Sequence, residues 1–203
     1  MQRFITALIG AAIVCAAAGA QAQGSGGVAP AKKVRPASHA TRATPAAAAN
    51  TAAPATADSV KVNEFMSYDP AGKTVSLKVL AGHGPVNGGM NFNGASNGGA
   101  TIIIPVGWSV SMHFTNEDAI PHSAIILPNK MPFPAQPQDP AIPRAYTASI
   151  TGGLFTGKSD QTTFKASPAG EYLLACGVPG HAPSGMWIRF NVSADAKTPS
   201  YTK

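Results

Sequence analysis

From Ser59 onward the chain runs in short stretches of alternating apolar and polar residues broken by Gly, Pro or Asn, a period of two that admits little besides β-structure. In residues 74–80, Val75, Leu77 and Val79 share one face; in 187–192, Ile188, Phe190 and Val192 do. Residues 108–114 place Trp108, Val110, Met112 and Phe114 together and turn His113 to the opposite, solvated face. Stretches 101–104, 123–127, 161–165 and 171–175 complete the set, with turn signals at Asp69-Pro70-Ala71-Gly72 and Ser167-Pro168-Ala169-Gly170. No long helical period interrupts them. The expected fold is all-β: one Greek-key β-sandwich over residues 59–203.

The first 58 residues follow different rules. Residues 1–22 carry Arg3, an apolar stretch from Phe4 to Ala18 and the A-x-A sequence Ala20-Gln21-Ala22, as in a secretory signal peptide. The apolar stretch is short against the roughly 20 residues of a membrane span. Cleavage after Ala22 and a periplasmic product are expected; the alternative is an uncleaved segment that tethers the protein to the membrane. Residues 23–58 are dominated by Ala, Pro, Gly, Thr and Ser, have no aromatic residue, and read as a disordered linker.

Charge excludes one class of partner. The formal net charge is +6, yet from Ser59 on ten Lys and Arg face eight Asp and Glu, a net of only +2. Much of the excess lies in the linker, and no basic patch with interleaved aromatics exists, so nucleic acid is not an expected partner. The basic tail offers a contact to an anionic membrane surface; its simpler reading is a solubilising linker.

The chemistry concentrates in Ala175-Cys176-Gly177-Val178-Pro179-Gly180-His181-Ala182-Pro183-Ser184-Gly185-Met186-Trp187. A thiol, an imidazole and a thioether stand five residues apart on one Gly- and Pro-rich loop. With one further histidine they make the donor set of a mononuclear blue-copper site, because thiolate and thioether suit Cu(I) and imidazole also accepts Cu(II). His39 lies in the unstructured tract and His113 on the solvated face. His122 follows Pro121, which keeps Ile120 extended, and opens the apolar run Ala124-Ile125-Ile126-Leu127. His122 is therefore the expected fourth ligand, with His83 in reserve. Once residues 1–22 are removed Cys176 is the only cysteine, which forbids an internal disulfide and leaves a thiol that needs protection in an oxidising compartment.

Competing readings fit less well. Cys176 and Met186 taken singly are ordinary core residues, but their common spacing about His181 is not. Structural zinc sites recruit several Cys or His at paired spacings and do not use Met. A cysteine hydrolase on Cys176 and His181 would leave Met186 without a role. A multicopper oxidase needs further histidine clusters, and no His-x-His occurs.

Pro121-His122-Ser123 followed at a distance by Cys-x4-His-x4-Met resembles the cupredoxin family. Met90-Asn91-Phe92-Asn93-Gly94-Ala95-Ser96-Asn97-Gly98 resembles the Phe-Asn-Phe-Asn-Gly signature of sulfocyanins, with Met90 in place of an aromatic residue. The ligand loop and the serine after the first histidine are also similar to rusticyanin. The resemblance covers the last 145 residues or so. It implies one type 1 copper ion held by His122, Cys176, His181 and Met186, with Met186 axial. The expected function is a periplasmic electron carrier, not an enzyme, acting as a monomer in transient contact with redox proteins such as a cytochrome or terminal oxidase. A copper chaperone or storage protein is the alternative. Ser123 and the group Asn91, Asn93 and Asn97 are expected near the sulfur, although Asn and Gly also serve plain turn chemistry. Val178, Pro179, Ala182 and Pro183 are expected to form an apolar surface about His181. The proline-rich insert at 131–143 is expected to border that surface or to cover a sheet edge.

Overall fold

The structure is a computed structural model that describes residues 59–137 and 139–203. The signal-peptide reading of 1–22 and the linker reading of 23–58 lie outside the described residues.

Among the described residues, ten strands make two sheets. The first has the order β1 (Val60–Lys61), β2 (Met66–Asp69), β3 (Thr74–Ala81), β5 (Ser109–Asn116), β7 (Ser159–Lys165). The second has β10 (Ser200–Thr202), β4 (Thr101–Pro105), β9 (Trp187–Ser193), β8 (Gly170–Ala175), β6 (Ile125–Pro128). Pairings β3·β5 and β4·β9 are parallel and the rest antiparallel. β3 and β5 can run parallel because the chain between them crosses to the other sheet through β4. Among the described residues the only helical element is a short 3₁₀ segment, Val86–Gly89. The architecture is the expected all-β, two-sheet one.

The alternation seen in the sequence sets which face is buried. Val75, Leu77 and Val79 of β3, Val110, Met112 and Phe114 of β5, and Ile188, Phe190 and Val192 of β9 all belong to one core. β6 is different: Ile125 and Leu127 pack outward with Ala175 and Ala182, while Ile126 joins the main core. Both its faces are thus covered, which explains why 123–127 reads as an unbroken apolar run.

β6 is also an edge strand, and the end of the proline-rich insert closes it together with the residues that follow. Ala141 donates to Ile126 (2.8 Å), Ile126 donates to Ala145 (2.9 Å), and Thr147 donates to Ala124 (2.9 Å). Phe133 of the insert packs on Trp187 with ring centroids 6.0 Å apart. The end of the insert thus takes part in covering a sheet edge, one of the two roles expected for it.

Candidate metal centre

Cys176 comes directly after β8, where Ala175 still pairs with Trp187 of β9. The loop between the two strands is closed by its own backbone. Cys176 donates to Met186 (3.0 Å), Met186 donates to His181 (3.0 Å), and His181 donates to Val178 (3.1 Å). Cys176 and Met186 are therefore opposed on the two stems, and the bond from Met186 brings His181 back towards them. Gly185, at φ +98°, allows the turn back; a Cβ there would run into Asn97, whose amide donates to the Gly185 carbonyl (2.8 Å).

His122 is delivered by a separate segment. Its backbone exchanges hydrogen bonds with Leu154 in both directions (3.1 and 2.7 Å). Residues 122–124 thus pair with the 147–154 chain, and β6 starts only at Ile125. The side chain is fully buried. Its Nδ1 lies 3.1 Å from Nδ1 of His181 and 3.9 Å from Sγ of Cys176, and His181 Nδ1 lies 3.5 Å from that sulfur. All three donor atoms fall within 4.8 Å of one another. With bonds of about 2.0–2.3 Å to imidazole and thiolate, one first-row metal ion reaches all three. Met186 is fully buried, and its backbone bonds to both Cys176 and His181.

The sulfur is fully buried, with backbone amides aimed at it. Ser123 N donates to Sγ at 3.4 Å, while the Ser123 hydroxyl is 3.9 Å away and directed at the Ile150 carbonyl (2.6 Å). The same oxygen accepts from Gly177 N (2.9 Å), tying the His122 segment to the ligand loop. Burial pushes the Cys176 thiol up, and the neighbouring amides only partly oppose it. Burial, then the nearby His122, lowers the pKa of His181. Burial thus favours a neutral His181 imidazole and a protonated Cys176 thiol, and a thiolate there needs a cation beside it.

The other sequence expectations divide. His83 is not in the cluster; it pairs with Glu117 (2.8 Å) and stacks edge-on against Phe65. Ser123 is at the sulfur, as expected. The asparagines make no bond to it. Asn91 binds the carbonyl of Val86 (2.8 Å), Asn93 binds Leu80 and Lys78, and Asn97 binds the ligand-loop backbone. Theirs is the turn chemistry, with Asn93 and Asn97 at φ +54° and +52°. About His181, Pro179 and Pro183 are exposed and Val178 partly so, but Ala182 is buried at 1 % exposure, against expectation. It packs under the loop with Ile125 and Ala175. Two partners of His122 escaped the sequence reading. Leu154 gave no signal, and Asp118, whose carboxylate meets His122 Nε2 at 2.9 Å, had only its position four residues upstream in a polar turn.

A buried thiolate donor with two imidazoles, and a thioether residue on the same loop, is a type 1 copper-like donor set. The Sulfocyanin (SoxE) domain model matches residues 61–203. A sulfocyanin of Sulfolobus acidocaldarius is 33 % identical over 139 residues, 65 % of this chain and 70 % of the relative. Among solved structures, a rusticyanin is 25 % identical over 67 % of this chain and 87 % of its own, with a TM-score of 0.47. A reduced auracyanin from Roseiflexus castenholzii is 22 % identical over 58 % and 96 %, with a TM-score of 0.42. With its family model spanning nearly all of the described sandwich, the chain belongs to the sulfocyanin family.

Proposed function

We propose that this protein is an exported blue-copper electron carrier that shuttles single electrons between redox proteins outside the cytoplasm, in which His122, Cys176, His181 and Met186 would hold the copper. The observation that carries the reading is a buried cluster of two imidazoles and a thiol in which only His181 is partly exposed. Copper, when bound, supplies the one-electron Cu(I)/Cu(II) couple. Everything else falls to the chain. Cys176 supplies the covalent thiolate. His122, fully buried, keeps water from its side of the metal. The two ligand segments are held to each other by Ser123 and to their strands by backbone bonds, so the donors move little between oxidation states. His181, bordered by exposed Pro179 and Pro183, is the route by which an electron reaches a partner docked briefly on that face. Export is supported by the basic, apolar and A-x-A succession of residues 1–22.

The test is voltammetry of the copper-loaded protein together with competition by a Cu(I) chelator. A carrier gives a reversible one-electron wave and keeps its metal; quick surrender of Cu(I) to the chelator would mark a copper-delivery protein instead. In the same measurement Met186→Gln retains copper and lowers the potential by at least about 59 mV, a tenfold bias toward Cu(II) for one electron, since an oxygen donor favours Cu(II) more than a thioether does. An unchanged potential would make Met186 a core residue only.

A further inference from the structure

Asp118 is placed as if for one purpose. Its Oδ2 lies 2.9 Å from Nε2 of His122, on the ring edge opposite the Nδ1 that faces Cys176 and His181. The carboxylate and its backbone are both held. Its Oδ1 accepts from Ala119 N (2.7 Å), its own amide donates to Asn116 Oδ1 (2.9 Å), and its carbonyl accepts from the Thr156 hydroxyl (2.6 Å). Asn116 in turn donates to the carbonyls of Ile120 and Leu154, both at 2.8 Å, which folds the 116–122 turn against the strand that pairs with His122. Space for the side chain comes from two glycines distant in sequence. A Cβ on Gly82 would run into Asp118 Cβ, and one on Gly89 would run into Oδ2; both glycines have positive φ, +73° and +91°.

We propose that Asp118 is the positioning residue of the metal centre, accepting the Nε2–H of His122 and so leaving the Nδ1 lone pair free and aimed at copper. The inference rests on the ligand assignment proposed above. A neutral imidazole has one N–H, and a carboxylate at Nε2 fixes which nitrogen carries it. A negative charge behind the ring also makes the imidazole a stronger donor and favours Cu(II) over Cu(I).

The test uses the full chain, metal-free and loaded with copper, in the unaltered form and as Asp118→Ala and Asp118→Asn. Nitrogen NMR of the metal-free and Cu(I)-loaded chains reads the His122 tautomer; competition titration reads copper affinity; voltammetry reads the potential. The unaltered chain shows a single Nε2–H tautomer. Asp118→Ala loses that preference and binds copper about 10- to 100-fold more weakly. Asp118→Asn keeps an oxygen acceptor, so the tautomer survives, but the lost charge raises the potential. If Asp118→Ala keeps both the tautomer and the affinity, the positioning role is overturned while the copper reading stands. If the unaltered chain takes up no copper, the reading on which it rests is overturned instead.

Discussion

Cys176→Ser abolishes the visible charge-transfer band of the copper-loaded protein and sharply weakens Cu(I) binding, while the β-sandwich stays folded. The hydroxyl is hard and barely ionised where the thiolate is soft, so it supplies neither the covalent sulfur–copper mixing nor the preference for Cu(I). The fold survives because Ser123 N, 3.4 Å from the sulfur, gives the buried hydroxyl a partner, and the stability cost is about 1 kcal/mol. The pH dependence of copper uptake adds a second check. Burial raises the pKa of the Cys176 thiol, so at neutral pH the metal-free protein carries S–H. Copper displaces that proton, and below the thiol pKa the affinity climbs about tenfold per pH unit from this group alone. In Cys176→Ser that contribution is gone. Absorption spectra and competition titrations at several pH values measure both effects; a surviving blue band in the serine variant would contradict the assignment.

Asn93→Ala destabilises the protein by about 2–4 kcal/mol and leaves the copper spectrum unchanged. The Asn93 side chain accepts from Leu80 N (2.7 Å) and donates to the Lys78 carbonyl (3.0 Å), satisfying two backbone groups along β3 that have no replacement when it is cut back to alanine. Each unsatisfied buried group costs about 1–3 kcal/mol. The residue also holds φ +54°, which Asn tolerates better than Ala. Denaturant unfolding and the visible spectrum separate the two roles that the Asn-rich segment offered. A shifted band with unchanged stability would restore a tuning role for it.

What could be read in the sequence follows from the range of the interactions involved. Alternation in β3, β5 and β9 is local, so Val75, Leu77 and Val79, or Ile188, Phe190 and Val192, announce their buried face directly. β1, β2 and β10 are too short to show a period. Ser200–Thr202 forms a strand only because β4 presents an edge to pair with. The loop ligands were legible because spacing on one loop survives folding. His122 was reached by its flanks, Pro121 and the apolar run after it, and His83 is set apart by Glu117 and Phe65, partners remote in sequence. Asp118 was illegible for the same reason. Its meaning depends on a turn folded by Asn116 and on room left by Gly82 and Gly89, none of which leaves a local pattern. Ala182 looked like surface in a loop of prolines, and its burial follows from the outward face of β6 that the loop covers.

The measurement that bears most directly on the copper account is a titration of the purified protein with Cu(II), followed by absorption and by bound-metal analysis, with His122→Ala and His83→Ala in parallel. One equivalent of copper bound per chain, an intense blue Cys-to-copper band, loss of that band in His122→Ala and its retention in His83→Ala are the predicted result; a colourless protein, or a band that depends on His83 and not on His122, would contradict it.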